Sequence, residues 1–232
     1  MRLGALIFDV DGTLAETEEL HRRAFNEAFA ARGLDWHWDQ DRYRALLQTT
    51  GGKERIAAFL DGRGDDPGAH DIAALHADKT ARYTTLMAGG EIALRDGITA
   101  LIADARRCGL KLAIATTTSR PNIDALIRAT MGAAASEVFD AIAAGDEVPA
   151  KKPAPDVYLL ALERLGVPPD QAVALEDSLN GLKSAQAAGI ACIVSPATYT
   201  QGDVFPADVP LVDSFAELAG VQDIEERLGV RA

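Results

Sequence analysis

Two aspartates two residues apart, Asp9 and Asp11, close the short apolar run Leu6-Ile7-Phe8 and are followed at once by Gly12 and Thr13. In extended backbone alternate side chains share a face, so both carboxylates point the same way if the strand persists. Gly12 lets the chain turn sharply behind them. Neighbouring carboxylates repel, and need a cation, a proton or a turn of backbone N–H groups to compensate. An Asp-Gly pair by itself also closes hairpins. The whole run, apolar strand then Asp-x-Asp-Gly-Thr, is far more specific, and perturbed carboxylate pairs gather at functional sites.

Three later apolar runs also end in chemically able residues. Leu112-Ala113-Ile114-Ala115 leads to Thr116, Thr117, Thr118 and Ser119; the run at 139–144 leads to Lys151-Lys152-Pro153; Val173-Ala174-Leu175 leads to Glu176 and Asp177, then Ser178-Leu179-Asn180-Gly181. Asp9, Asp11 and Asp177 are hard oxygen donors suited to Mg²⁺. No Cys/His cluster offers a zinc site. A threonine hydroxyl, backbone N–H groups and Lys152 are what phosphate oxygens need. A carboxylate can attack phosphorus and form an aspartyl phosphate. A second carboxylate two residues on can protonate the leaving alkoxide and later take a proton from water.

These groups converge only if their strands lie side by side. Short, nearly all-apolar strands alternate with helices from Gly97 onward, which predicts an α/β fold with a doubly wound parallel sheet. Ligands of such sheets bind beyond the carboxyl ends of the strands, where all four groups fall. A strand is expected at 139–143 and a last one at 211–212. Between the first strand and this regular region the chain reads as helices only, at 16–31, 40–48, 52–60 and 71–87. That is too long for a plain crossover. The simplest division is a core of residues 1–16 and 93–232 with a helical insertion at 17–92.

The chain of 232 residues is 48% hydrophobic, enough to bury a proper core. Its net charge of −12 argues against nucleic acid and anionic membranes as partners. A small anionic substrate is compatible, since a few placed cations dominate locally. No run approaches the ~20 apolar residues of a membrane span, and Met1-Arg2-Leu3-Gly4 shows no signal-peptide pattern. Cys108 and Cys192 read as small buried hydrophobes, so a cytoplasmic setting is expected. No heptad pattern points beyond a monomer.

Taken together, Asp9-Val10-Asp11-Gly12-Thr13, Thr116, Lys152-Pro153 and Glu176-Asp177-Ser178 resemble, in order, the four motifs of the haloacid dehalogenase superfamily. The insertion resembles its type 1 cap. The stretches Thr49 to Arg55, Ala115 to Ser119 and Leu175 to Gly181 are similar to the CbbY-like branch, whose members include a xylulose-1,5-bisphosphate phosphatase that removes a rubisco-inhibiting by-product. The resemblance implies Asp9 as nucleophile and metal ligand, Asp11 as general acid/base with its carbonyl on the metal, and Thr116 and Lys152 on the phosphoryl group. It implies Asp177 as another ligand of Mg²⁺, with Glu176 beside it or ligating too. An acid at position 11 departs from true dehalogenases, and Val10 departs from P-type ATPases.

The insertion should select the substrate. Gly51-Gly52-Lys53 opens a helix, and a helix N-terminus with a lysine suits a second phosphate. Glu18 and His21 share a face of the first helix, and the resemblance sets both near the active-site opening. Thr117 and Thr118 are further candidates for substrate contact. Lys79 and Arg82 either add positive charge or form a solvated face; Trp36 and Trp38 cover a core edge; His37, His70 and His76 read as surface residues. The expected activity is a sugar bisphosphate phosphatase. Its rivals are a sugar phosphomutase of the β-phosphoglucomutase type and a phosphorylation-dependent switch.

Overall fold

β1 (Ala5–Phe8) is buried along its whole length and lies in the middle of a parallel sheet of order β3-β2-β1-β4-β5. The other strands are β2 (Lys111–Ala115), β3 (Ala141–Ala143), β4 (Ala172–Glu176) and β5 (Ala191–Val194). The computed structural model describes residues 3–90 and 92–229; Met1 and Arg2, part of the N-terminal run read above, lie outside the described residues. Phe8 is level with Ile114 on one side and Leu175 on the other. This register makes the chain leave the sheet at one edge with Asp9, Thr116 and Asp177.

Alternation along β1 divides the core. Leu6 and Phe8 face α5 (Ile98–Arg107), α6 (Arg120–Met131), α7 (Ala135–Val138) and α10 (Val221–Arg227), while Ala5 and Ile7 face α8 (Asp156–Leu165) and α9 (Leu179–Ala187). Both faces are covered, which is why the strands carry no polar alternation.

The cap follows β1 as four helices: α1 (Glu18–Ala31), α2 (Gln40–Leu46), α3 (Gly52–Arg63) and α4 (Ile72–Ala88). Asp39 and Asp71 start α2 and α4 by accepting from the Arg42 and Ala74 amides, ordinary N-caps. The cap has its own aromatic core, in which Phe25, Phe29, Trp36, Trp38, Tyr43 and Phe59 pack together. The two connecting segments run side by side, with Ala15 bridged to Leu94. Arg95 ties them to the core by donating to the carbonyls of Gly12 and Ser195.

Three expectations about elements change. α3 continues to Arg63, beyond the expected stop at 60, and ends at Gly64 in the left-handed conformation. β3 starts at Ala141, because Ala135–Val138 is a short helix and Phe139 ends it. The strand expected at 211–212 reduces to a single bridge between Leu211 and Val194. Pro210, with no N–H, precedes it, so no longer ladder forms there.

Candidate active site

Lys152 is the centre of the core's polar network. Its Nζ donates 2.6 Å to Asp9 Oδ1, 2.6 Å to Glu176 Oε1 and 2.9 Å to the Ala115 carbonyl, and the side chain is buried. Three acceptors for three N–H groups fix the ammonium completely. Tyr158 Oη also donates to Glu176 Oε1 at 2.6 Å, and the Asp177 amide lies 3.3 Å from Glu176 Oε2. Glu176 therefore anchors Lys152 from behind. It fits there because Gly181 has no side chain: a Cβ would come within 1.9 Å of Glu176 Oε2.

Gly12 meets a similar constraint. Its φ is +83°, and a Cβ would stand 2.3 Å from Asp177 Oδ2. The turn after Asp11 thus brings backbone directly against the carboxylate on the neighbouring strand.

Among the described residues, Asp9, Glu176 and Asp177 each offer a carboxylate oxygen within 4.8 Å of the others. Burial pushes Asp9 up to about 7, with Glu176 and Asp11 adding to the rise against the pull of Lys152. Asp177 is also held well above the usual carboxylate range, by burial and then by Asp9 and Glu176. Lys152 is raised as well, here towards its charged form: burial opposes the charge, but Asp9 and Glu176 outweigh it. One lysine does not neutralise three buried carboxylates. The donor set fits a divalent cation, which favours hard oxygen ligands.

Asp11 lies in a different network. Its Oδ1 accepts 2.6 Å from Thr17 Oγ1 and 2.9 Å from His21 Nε2, and the carboxylate is not in the acidic cluster. Lys79 Nζ is 2.6 Å from His21 Nδ1. With Lys79 as the ammonium, which only donates, Nδ1 accepts and the Nε2 hydrogen goes to Asp11. Burial raises Asp11, but His21 and the hydrogen bonds from His21 and Thr17 outweigh it and hold the carboxyl well below its ordinary range. Burial pulls Lys79 down to about 7. Burial and the neighbouring Lys79 lower His21.

A cavity of about 170 Å³ lies between core and cap. It is lined by Asp9, Asp11, Thr116, Thr117, Thr118, Lys152 and Asp177 from the core, and by Glu18, His21, Gly51, Gly52 and Lys53 from the cap. Glu176 alone of the predicted site residues is set back from this surface. Thr116 Oγ1 accepts from the Thr118 amide at 3.2 Å, so its own hydrogen is directed elsewhere. Asn122 holds the Thr118 hydroxyl at 2.9 Å.

Several cap residues differ from expectation. Lys53 is exposed at the rim. Arg55, further along the same helix, is buried and lines the cavity, and was not singled out from the sequence. Its guanidinium donates 3.0 Å to Tyr43 Oη and lies 5.2 Å from the centre of that ring. Tyr43 in turn donates 2.6 Å to Glu18 Oε2. The Gly-Gly helix start placed Arg55 one turn in, a signal that was available but less conspicuous than Lys53. His76, expected on the surface, lines the cavity beside Gly52; burial, Lys79 and Lys53 pull it down to about 3. Lys79 is buried rather than solvated, while Arg82 pairs with Asp78 at 3.2 Å. His37 is exposed, and His70 packs edge-on against Trp36.

A model of haloacid dehalogenase-like hydrolases matches residues 3–189. The chain belongs to this family. It is a hydrolase of the phosphatase kind, as the four motifs led us to expect. Protein CbbY of Cereibacter sphaeroides is 62% identical over 221 residues, 95% of this chain and 96% of the relative. The crystal structure of CbbY from Rhodobacter sphaeroides with phosphate superposes with a TM-score of 0.93 at 61% identity, covering 96% of this chain and 99% of that one. A mutant of the same protein in complex with xylulose-(1,5)bisphosphate gives a TM-score of 0.92 at 61% identity, covering 95% and 98%. The haloacid dehalogenase-like fold, with its helical cap, is thus that of a solved structure. No helix of the described residues is long and apolar enough to cross a membrane.

Proposed function

We propose that this hydrolase is a Mg²⁺-dependent phosphatase that removes one phosphate from xylulose-1,5-bisphosphate through an aspartyl phosphate on Asp9. The observation that carries the reading is the two-sided cavity, with the Asp9–Lys152 pair on one wall and the buried Arg55 on the other. The complex of a 61% identical relative with that bisphosphate supports the substrate. By the same resemblance the role is disposal of an inhibitory by-product of carbon fixation.

Asp9, Asp177 and Glu176 would hold Mg²⁺, with the Asp11 carbonyl as a further ligand. When bound, the ion neutralises charge on the phosphoryl oxygens. An Asp9 carboxylate oxygen attacks phosphorus, and the bond to the sugar oxygen breaks. Lys152 holds Asp9 in place for the attack, and the Thr116 hydroxyl steadies a phosphoryl oxygen. Asp11 gives a proton to the leaving alkoxide. Asp11 is ionised at rest, so it first receives that proton from His21 Nε2 while Lys79 returns one to Nδ1. In the second half Asp11 takes a proton from water as the water attacks the phosphoaspartate. The cap selects the substrate: Arg55, Lys53 and the amides after Gly51 and Gly52 face the second phosphate.

The Lys79–His21–Asp11 chain would serve equally well to return the phosphoryl group to a sugar, so a phosphomutase is the second reading. Phosphate release from xylulose-1,5-bisphosphate, ribulose-1,5-bisphosphate and β-glucose-1-phosphate, with and without EDTA, separates the two. Release from the xylulose compound that is lost with EDTA and in Asp9→Asn is expected. Isomerised sugar phosphate without free phosphate would establish the mutase instead.

A further inference from the structure

The loop after β5 touches both the cap and the acidic cluster, through adjacent residues. Tyr199, largely buried, donates 2.7 Å from its hydroxyl to Glu19 Oε2 on α1. Its ring meets that of Tyr43 on α2 edge-on, with centroids 5.6 Å apart, and the Arg44 guanidinium lies 5.3 Å over its face. Tyr43 is the residue that holds Glu18 and Arg55 at the cavity wall. Thr200, the next residue, turns back into the core. Its Oγ1 accepts from the Ala197 amide at 2.8 Å and reaches the Asp177 carbonyl at 2.8 Å and Asp177 Oδ2 at 3.0 Å.

The segment is stiff. The Thr200 amide donates to Ala197 at 2.9 Å, the Asp203 amide to Thr200 at 2.9 Å, and Asp203 Oδ2 accepts from the Leu179 amide at the start of α9 at 2.8 Å. A displacement of the Tyr199 ring is therefore carried to the Thr200 hydroxyl. That hydroxyl has one proton, for which the two Asp177 oxygens are the near acceptors and the Ala197 carbonyl, at 3.4 Å, the far one. Turning it away would remove the hydrogen bond that orients Asp177 Oδ2.

We propose that Thr198, Tyr199 and Thr200 form a latch that couples cap closure to the orientation of Asp177. Tyr199 is a positioning residue on the cap side and Thr200 on the cation side, and Thr198 adds a contact from its amide to Glu16 at 3.2 Å, in the segment leading into α1. Coupling of two equilibria is reciprocal, so a latched cap favours the cation and the cation favours a latched cap. The inference rests on the reading of the acidic cluster as a cation site.

The chain's two tryptophans, Trp36 and Trp38, both sit in the aromatic cluster that includes Tyr43 and Tyr199, so their emission reports this wall. Mg²⁺ titrations of the full chain, followed by calorimetry and by tryptophan emission, test the latch without substrate. Wild type should bind Mg²⁺ with a change in emission. Tyr199→Leu should weaken Mg²⁺ binding at least threefold although residue 199 offers the ion no ligand atom. Tyr199→Phe, which loses only the hydroxyl, carries the same comparison should the leucine variant fail to fold. Thr200→Val should weaken binding at least tenfold and abolish the emission change, and Thr200→Ser should restore both. An affinity loss below threefold at Tyr199, or an emission change that survives Thr200→Val, would overturn the latch while leaving the cation site intact. Wild type that binds no Mg²⁺ would overturn the latch together with the cation reading.

Discussion

The two walls of the cavity are built differently. The core wall consists of carboxylates and hydroxyls set at strand ends by the register of a buried sheet, with Lys152 reaching in from the loop after β3, and its charges are fixed by one another. Lys152 spends all three donors on fixed acceptors, and Glu176 accepts from both Lys152 and Tyr158. The cap wall consists of longer side chains on helices. Arg55, Tyr43 and Glu18 form one chain of hydrogen bonds resting on an aromatic cluster. The first arrangement suits chemistry that needs groups held to fractions of an ångström; the second suits recognition that a small change of residues can retune.

The difference predicts where substitutions hurt. Asp9→Asn should cost on the order of 10⁴-fold or more in turnover on every substrate, because the nucleophile itself is lost; steady-state phosphate release measures it. Glu176→Ala should destabilise the fold by about 3–5 kcal/mol, since it leaves the buried Lys152 with one carboxylate fewer; chemical denaturation gives the value. Arg55→Ala should raise KM for a bisphosphate on the order of ten- to a hundredfold, the worth of a charge-assisted contact of about 1.5–3 kcal/mol. Lys53→Ala should change KM only slightly, by about 1 kcal/mol or less, because an exposed lysine is screened by solvent.

A pH experiment probes the core wall. Asp9 stands at about 7 in the folded protein against an ordinary 3.8, so the folded state binds the extra proton. The contribution of Asp9 to the stability of the metal-free protein then falls as pH rises from about 4 to about 7. A cation at the cluster replaces that proton. The gap in Tm between Mg²⁺-loaded and EDTA-treated protein should therefore widen across that window. A gap that narrows with rising pH would count against a cation at Asp9.

The same contrast explains what the sequence revealed. Asp9, Thr116, Lys152 and Asp177 each follow an apolar run, and a parallel sheet carries them to one edge whatever the details of packing. Glu18 and His21 were visible through helical spacing on α1. Arg55 was marked only faintly, one turn into α3, and its meeting with Tyr43 depends on how α2 and α3 pack across the aromatic cluster, which no local pattern encodes. His76 looked like one more residue of a polar helix face until α4 turned it toward Gly52. Tyr199 and Thr200 lie in a loop with no periodicity, so only the fold brings them to Glu19 and Asp177.

The division of labour between the walls is tested most directly by kcat/KM of wild type and Arg55→Ala on xylulose-1,5-bisphosphate and on a sugar monophosphate. Loss of at least tenfold on the bisphosphate, with the monophosphate unchanged within about threefold, is the predicted result. An equal loss on both would show that Arg55 supports the chemistry rather than the choice of substrate, and the separation of roles would fall.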